Sequence, residues 1–233
     1  MLCSRSWSLA AVIVLSLGSV ASATVITIDD FDNGSMNLVV DIDVPNPPPI
    51  LSSPVAGVIG GHRDVALEYL SGPAFSRVLV NWRASGAFAL SEDADTQARA
   101  TLTYDAGGSL NADLAAQGPS SAFRFVFSTA DLAGTLSIQA SSDGQGTSTW
   151  TGSTPGGLFN TNLDFDVPLS GSGWVAAPGG GVNWADVDKL TISLTGVANG
   201  DYVIRQIVVV PEPATLSLVV LGGLASLLKR RRR

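Results

Sequence analysis

Short runs of alternating apolar and polar residues constrain the fold of this chain more than any other feature. Between Ala122 and Phe127 the three phenylalanines occupy every second position, and Arg124 lies between two of them. Successive side chains of a β-strand point to opposite faces of a sheet, so this spacing predicts a strand with one buried face and one solvated face. Between the two ends of the chain, no run keeps a helical period for more than two turns. We therefore expect an all-β protein.

Nine such runs are separated by turn signals such as Asn33-Gly34 and Asn199-Gly200. They cover residues 25–28, 37–44, 63–70, 77–82, 98–104, 122–128, 135–139, 189–195 and 202–210. Many short strands at this spacing predict a single two-sheet β-sandwich of the jelly-roll kind, covering residues 24–209. The glycine-rich segment 171–181 is expected to be a long surface loop.

The N-terminal segment 1–23 has the order of a secretory signal peptide. Arg5 precedes an apolar run over residues 9–17, and the segment ends in Ala21-Ser22-Ala23. Small residues at these last positions predict cleavage between Ala23 and Thr24, after export by Sec-type machinery. A short buried helix is the alternative, but a buried helix does not require small residues such as Ala21 and Ala23 at its end.

The C-terminal segment 210–233 combines a rigid motif, an apolar stretch and a basic end. Pro211-Glu212-Pro213 is followed by the uncharged residues 214–228 and then by one lysine and four arginines. As a helix the apolar stretch reaches about 22 Å, whereas a bilayer core is about 30 Å thick, so it predicts a short transmembrane helix. The basic end is expected to stay cytoplasmic, with the sandwich outside. An ordinary single-span anchor is the alternative.

This three-part order resembles the PEP-CTERM sorting signal of Gram-negative bacteria. The resemblance implies that a membrane protease-transpeptidase, the exosortase, recognises the Pro-Glu-Pro motif and processes the tail. It also implies an inner-membrane intermediate, then the outer surface or extracellular matrix, in hosts that make exopolysaccharide and biofilm. The segment from Gly60 to Val65 is similar to uncharacterised ectodomains that carry this signal.

Charge and cysteine content limit the partners and the chemistry. The net charge of the chain is −7, and the part between the two terminal segments, with 7 basic and 19 acidic residues, is near −12. Such a surface repels phosphate backbones, so no nucleic-acid partner is expected. Cys3, the only cysteine, lies in the predicted signal peptide, so the exported part has no disulfide and no thiol nucleophile.

Catalytic signatures are sparse. His62 is the only histidine, which excludes a multi-histidine zinc site, and a Ser-His-Asp triad would have to use it as base without any G-x-S-x-G motif. Glycosidase chemistry needs only two carboxylates and stays open as an alternative. We expect no enzymatic activity and no catalytic residue.

Aspartates at the end of the first predicted strand suggest a cation site. Asp29, Asp30 and Asp32 place oxygen ligands beside a turn, which suits Ca²⁺, and we expect it as the cofactor. The alternative is that these charges only keep an exported domain soluble.

Two tryptophans lie among glycine, serine and threonine residues. An exposed indole at Trp150 or Trp174 would stack on a sugar ring, and the alternative is that both close the end of the sandwich. The segments Asn183–Ile192 and Tyr202–Ile207 weakly resemble the closing strands of galactose-binding-like, carbohydrate-binding jelly rolls.

These patterns together predict an exported, non-enzymatic structural protein of the exopolysaccharide layer. A carbohydrate-binding module is the second hypothesis, and a secreted glycan-active enzyme is the third.

Overall fold

The computed structural model describes residues 24–211, apart from 35–36, 53, 74–77, 84–85, 117–120 and 158–161. The predicted signal peptide and the predicted transmembrane helix lie outside the described residues. Over the part of the chain that is described, no helix is long and apolar enough to cross a membrane.

The described residues form fourteen β-strands and one short 3₁₀ turn, Ile59–Gly61. The strands are β1 (Ile26–Asp29), β2 (Leu38–Val40), β3 (Ile50–Ser52), β4 (Arg63–Ser71), β5 (Val78–Arg83), β6 (Ala87–Glu92), β7 (Gln97–Tyr104), β8 (Ser121–Ala130), β9 (Thr135–Ser142), β10 (Gly146–Ser153), β11 (Leu163–Pro168), β12 (Trp174–Ala176), β13 (Lys189–Thr195) and β14 (Asp201–Pro211).

The strands form two seven-stranded antiparallel sheets. Sheet A has the order β11-β8-β14-β6-β5-β2, and β1 also pairs with β14. Sheet B has the order β12-β10-β9-β13-β7-β4-β3. Successive strands often lie in different sheets, as in a jelly roll, so the predicted all-β sandwich is confirmed.

The core lies between the two sheets and is built by the alternation seen in the sequence. Phe123, Phe125 and Phe127 of β8 are fully buried, whereas Arg124 points outward. From sheet B, Leu136 and Ile138 of β9 are equally buried. Each strand therefore contributes every second side chain to one apolar layer, which drives the sheets together.

The first and last strands lie side by side. Ile26 of β1 is opposite Val209 of β14, and Thr27 is opposite Val208. Because the two strands are antiparallel, the chain enters and leaves the sandwich at the same end.

Several boundaries differ from the sequence-based prediction. The strand predicted over 37–44 is wrong beyond Val40: Asp41 Oδ1 accepts hydrogen bonds from the N–H groups of Asp43 and Val44, each at 2.9 Å, and this turn ends the strand. The predicted loop 171–181 contains β12. The strands β3, β6, β10 and β11 are also absent from the prediction.

Candidate functional site

A buried ion pair joins the first strand to the fourth. Arg63 Nη1 donates to Asp29 Oδ1 at 2.9 Å and to Oδ2 at 2.8 Å, and both side chains are fully buried. The Tyr104 hydroxyl donates to Asp29 Oδ2 at 3.0 Å, and the Phe31 N–H donates to Oδ1 at 2.9 Å. Burial raises the pKa of Asp29, and the contacts with Arg63, the Phe31 N–H and Tyr104 lower it. Burial is the largest of these effects, so the pKa of Asp29 is raised on balance, and the carboxylate depends on its contacts to remain ionised inside the sandwich.

The aspartates of the predicted calcium site have different surroundings. Asp29 faces Arg63, whereas Asp30 lies against the Gly57 backbone and Asp32 is exposed. Asp30 Oδ1 accepts a hydrogen bond from the Asp32 N–H at 3.1 Å. The calcium site stays a prediction, and Asp30 and Asp32 would have to supply it with free oxygen atoms.

A second pair of aspartates, on β11, forms ion pairs with an arginine side chain. Asp164 and Asp166 of β11 both point to the outer face of sheet A, as their spacing predicts. Arg124 Nη1 lies 2.9 Å from Asp164 Oδ2, and Arg124 Nε donates to Asp166 Oδ1 at 2.8 Å. The guanidinium of Arg124, on the same sheet, therefore neutralises part of the negative charge of this pair.

Trp150 and Trp174 are brought together, as cross-strand partners of β10 and β12 on the inner face of sheet B. Trp150 packs against Phe165, with ring centroids 6.2 Å apart. Trp174 makes an edge contact with Trp184 at 4.7 Å, and its Nε1 donates to the Pro168 carbonyl at 2.7 Å. These side chains are partly buried and join the edges of the two sheets, so the arrangement favours the closing role over sugar stacking.

The outer face of sheet B is a polar surface that the sequence analysis missed. Hydroxyl side chains lie next to one another across four strands, because the register places polar positions of β10, β9, β13 and β7 opposite one another. We call this set of seven hydroxyl side chains and one amide the hydroxyl face, and it comprises Thr149, Thr151, Ser137, Gln139, Thr191, Ser193, Thr101 and Thr103. Neighbouring strands lie about 4.8 Å apart, so the polar groups form a dense array.

Side-chain contacts hold part of this array in place. The hydroxyls of Thr101 and Ser193 lie 3.1 Å apart, and those of Ser137 and Thr151 lie 3.3 Å apart. Period-two threonine and serine in residues 147–151 and 191–195 is the sequence signal that would have revealed the face. Alternation of apolar residues does not reveal this face, because it reports only the side chains that point into the core.

His62 lies between two carboxylates. Its Nε2 is 3.6 Å from Asp64 Oδ1 and its Nδ1 is 3.4 Å from Asp105 Oδ1. Both of these contacts are to aspartate carboxylates, and neither is to a serine.

The sorting residues straddle the end of the described structure. Pro211 is the last residue of β14 and lies opposite Ser121 of β8. Glu212 and Pro213 lie outside the described residues, as do Ala21 and Ala23, whereas Thr24 is exposed just ahead of β1.

Comparison with known proteins identifies the C-terminal end of the chain. No curated protein matches the chain in sequence. Solved structures with a related arrangement include a family 11 carbohydrate-binding module from Clostridium thermocellum in complex with a β-1,3-1,4-mixed-linked tetrasaccharide, at 12% identity and a TM-score of 0.40, covering 80% of this chain and 95% of that one.

Two further structures are a family 29 carbohydrate-binding module complexed with mannohexaose and an agarase. The first has 9% identity and a TM-score of 0.34, covering 80% of this chain and 90% of that one. The agarase has 11% identity and a TM-score of 0.42, covering 63% of this chain and 22% of its own.

The family described as the PEP-CTERM protein-sorting motif matches residues 209–233. The match begins two residues before Pro211, inside β14. The chain therefore carries a PEP-CTERM sorting motif directly joined to the last strand of its β-sandwich.

Proposed function

We propose that this protein is a non-enzymatic structural component of the exopolysaccharide layer of a Gram-negative bacterium, delivered there by an exosortase. The observation that carries the proposal is the junction at Pro211, where the sorting motif continues a core strand without a linker. The tail would therefore direct the transport of the whole sandwich.

The positions of the two ends support this route. Ile26 pairs with Val209, so Thr24, the residue after the predicted cleavage site, and Pro211, the first residue of the Pro-Glu-Pro motif, lie at the same end of the sandwich. Both terminal segments can then reach one inner membrane while the rest of the sandwich extends away from it. Sec-type export and exosortase processing would act on neighbouring parts of the molecule.

The hydroxyl face supplies the contact with the matrix. Hydroxyl groups both donate and accept hydrogen bonds, as sugar hydroxyls do, and an array of them matches a polysaccharide without requiring one particular sugar. Each exposed contact is weak, because it replaces a hydrogen bond to water. Many weak contacts with a repeating polymer suit a matrix component better than a module that captures a single oligosaccharide.

A carbohydrate-binding module is the second candidate, with Trp150 and Trp174 as the stacking residues. The indole Nε1 of Trp174 is already bonded to the Pro168 carbonyl, and both rings pack on core residues. A sugar would therefore have to bind at the exposed rim of this cluster. A glycan-active enzyme, the third candidate, would show turnover that one carboxylate substitution abolishes.

Binding to the exopolysaccharide of the host separates the first two candidates. We would measure retention of the exported protein on immobilised polysaccharide for the wild type, for Thr101→Glu with Ser137→Glu, and for Trp150→Ala. Asn162→Glu with Ser172→Glu is the control for added charge, because it places the same two charges at exposed positions on either side of β11. We expect loss of retention only with the substitutions on the hydroxyl face. Loss only with Trp150→Ala would support the second candidate, and equal retention of all variants would contradict both.

A further inference from the structure

A histidine and two aspartates meet at one end of sheet B. Asp64 is the second residue of β4 and lies opposite Thr103 of β7, so Asp105, which follows β7, lies beside it. His62 precedes β4 and is placed by Gly60 and Gly61, whose φ angles of 66° and 69° suit glycine. One potential ligand atom from each of His62, Asp64 and Asp105 lies within 4.8 Å of the other two.

The distances within this cluster are longer than hydrogen bonds. The two contacts of the imidazole, at 3.4 and 3.6 Å, exceed the usual N–H···O range of about 2.7–3.2 Å. Among the described residues, His62 Nδ1 and Asp64 Oδ1 are buried atoms that make no hydrogen bond. A buried polar group is rarely left unpaired. His62 Nδ1 and Asp64 Oδ1 are therefore both available to bind a ligand.

The three side chains are close enough to surround a small cation after a small adjustment. Zn²⁺ binds nitrogen and oxygen ligands at about 2.0–2.2 Å with tetrahedral geometry, which places neighbouring ligand atoms about 3.3–3.6 Å apart. The two short contacts of the imidazole involve different ring nitrogens, so only one of them can separate two ligands of the same ion. The three ligand atoms lie within 4.8 Å of one another, and a bound ion would draw them closer together. The side chains are mostly buried, with 15% of His62, 25% of Asp64 and 22% of Asp105 exposed, so an ion could reach the cluster and would be largely shielded.

The ligand types favour zinc over calcium. An imidazole nitrogen suits zinc and other transition metals, whereas Ca²⁺ takes six to eight oxygen ligands. Two carboxylates balance the charge of one divalent cation. Asp105 is oriented in advance, because its Oδ1 accepts a hydrogen bond from the Gly107 N–H at 2.9 Å.

We propose that His62, Asp64 and Asp105 bind one divalent transition-metal ion, with Zn²⁺ as the best match. A single nitrogen of His62 and one oxygen from each aspartate are the protein ligands, and water completes the tetrahedron. The ion ties the start of β4 to the turn after β7. It would act as a clamp in an exported domain that has no disulfide.

Zinc binding to the full chain in detergent tests the proposal. After treatment with a chelator, we would titrate ZnCl₂ by calorimetry, measure the zinc content after gel filtration, and follow thermal unfolding. We expect one equivalent of zinc per chain and a rise in Tm of about 4 °C or more at a hundredfold excess over Kd. His62→Gln and Asp105→Asn should each weaken binding at least about tenfold.

Asp41→Asn is the matched control. Like Asp105, Asp41 accepts a backbone hydrogen bond at 2.9 Å from the residue two positions ahead, but it lies in another turn. Its substitution removes the same charge and should leave zinc binding unchanged. Equal weakening by Asp41→Asn and Asp105→Asn would overturn the proposal, because it would indicate diffuse attraction to an acidic surface.

Cobalt provides a test that needs no variant. Co²⁺ bound to the wild type should give the intense visible absorption of a tetrahedral site, and one equivalent of Zn²⁺ should remove it. Absence of this spectrum together with no rise in Tm would show that His62 simply contacts the two aspartates, and would contradict the site. A Ca²⁺ effect that disappears with Asp30→Ala and Asp32→Ala while Zn²⁺ has none would also contradict it.

Discussion

At the scale of single residues, one ion pair is fully buried between the sheets. Asp29 and Arg63 are fully buried, and Arg63 Nη2 also donates to the Asn33 carbonyl at 2.8 Å. The arginine thus ties the turn after β1 to the start of β4. A buried pair of this kind adds little over apolar packing, but loss of one partner leaves an uncompensated charge.

We therefore predict strong coupling between the two residues. Arg63→Met should lower the free energy of unfolding by about 3–5 kcal/mol, because the Asp29 carboxylate stays buried without its partner. Adding Asp29→Asn should recover at least about 1 kcal/mol, since the amide oxygen still accepts the Phe31 N–H. Urea unfolding of Arg63→Met, of Asp29→Asn and of the double variant measures the coupling, and strictly additive losses would refute it.

Glu92 is a second buried carboxylate, and it has no basic partner among the described residues. Its Oε1 accepts the Ala98 N–H at 2.8 Å, while Oε2 is buried without a hydrogen bond. The pKa of Glu92 is raised from an ordinary value of 4.5 to about 7: burial raises it most, the hydrogen bond from the Ala98 N–H lowers it, and the nearby charge of Asp201 raises it.

Protein stability should therefore fall with rising pH because of Glu92. Between pH 4.5 and about pH 7 the folded state holds more protons at this group than the unfolded state, so ionisation costs stability over this window. Glu92→Gln should add about 2 kcal/mol at pH 8 relative to the wild type and little at pH 4. Urea unfolding at both pH values measures this difference.

Glu68→Gln is the control, because Glu68 lies on the surface near Arg99. It removes a carboxylate that is not buried, and it should not reproduce the gain of Glu92→Gln at pH 8. A Glu92→Gln variant with the same gain at both pH values would show that ionisation is not the cause.

At the scale of strands, the sequence predicts well those elements whose buried side chains alternate with polar ones. The strands β4, β7, β8, β13 and β14 begin and end within three residues of their predicted limits. By contrast, β10 was missed because its threonines, serines and glycines resemble a loop, and β6 because Ala87–Leu90 is buried on both faces. Alternation of apolar and polar residues arises only where one face of a strand is buried and the other is solvated. It therefore does not reveal a strand whose two faces are both polar or both buried.

The same limit applies to the candidate sites. Asp105 and His62 meet because β4 pairs with β7, and Trp150 meets Trp174 because β12 pairs with β10. Pairing between distant strands is set by the whole core, so spacing along the chain does not reveal it. The sorting motif was predictable because its residues are contiguous.

The aromatic cluster gives a prediction at this scale. Trp174→Ala should lower the free energy of unfolding by about 2–3 kcal/mol, because it removes the contacts with Trp184 and Phe123. Val175→Ala is the matched control on the same strand, since Val175 is 71% exposed, and it should change stability by less than about 0.5 kcal/mol. Equal effects in urea unfolding would contradict the closing role.

At the scale of the whole molecule, the first and last strands of the sandwich are adjacent. Ile26 and Val209 are paired, and the sorting motif begins at residue 209. The proposed delivery to the exopolysaccharide layer depends on recognition of Pro211-Glu212-Pro213 and not on the sandwich itself. Substitutions in the tail should therefore change the destination of the protein without unfolding it.

Processing in the host tests this central claim most directly. We would determine the two termini and the location of the wild type and of a variant with Ala at 211, 212 and 213, using mass spectrometry after cell fractionation. The account predicts that both begin at Thr24, that the wild type loses its tail and leaves the inner membrane, and that the variant keeps its tail and stays there. A variant that is processed and released like the wild type would contradict exosortase sorting.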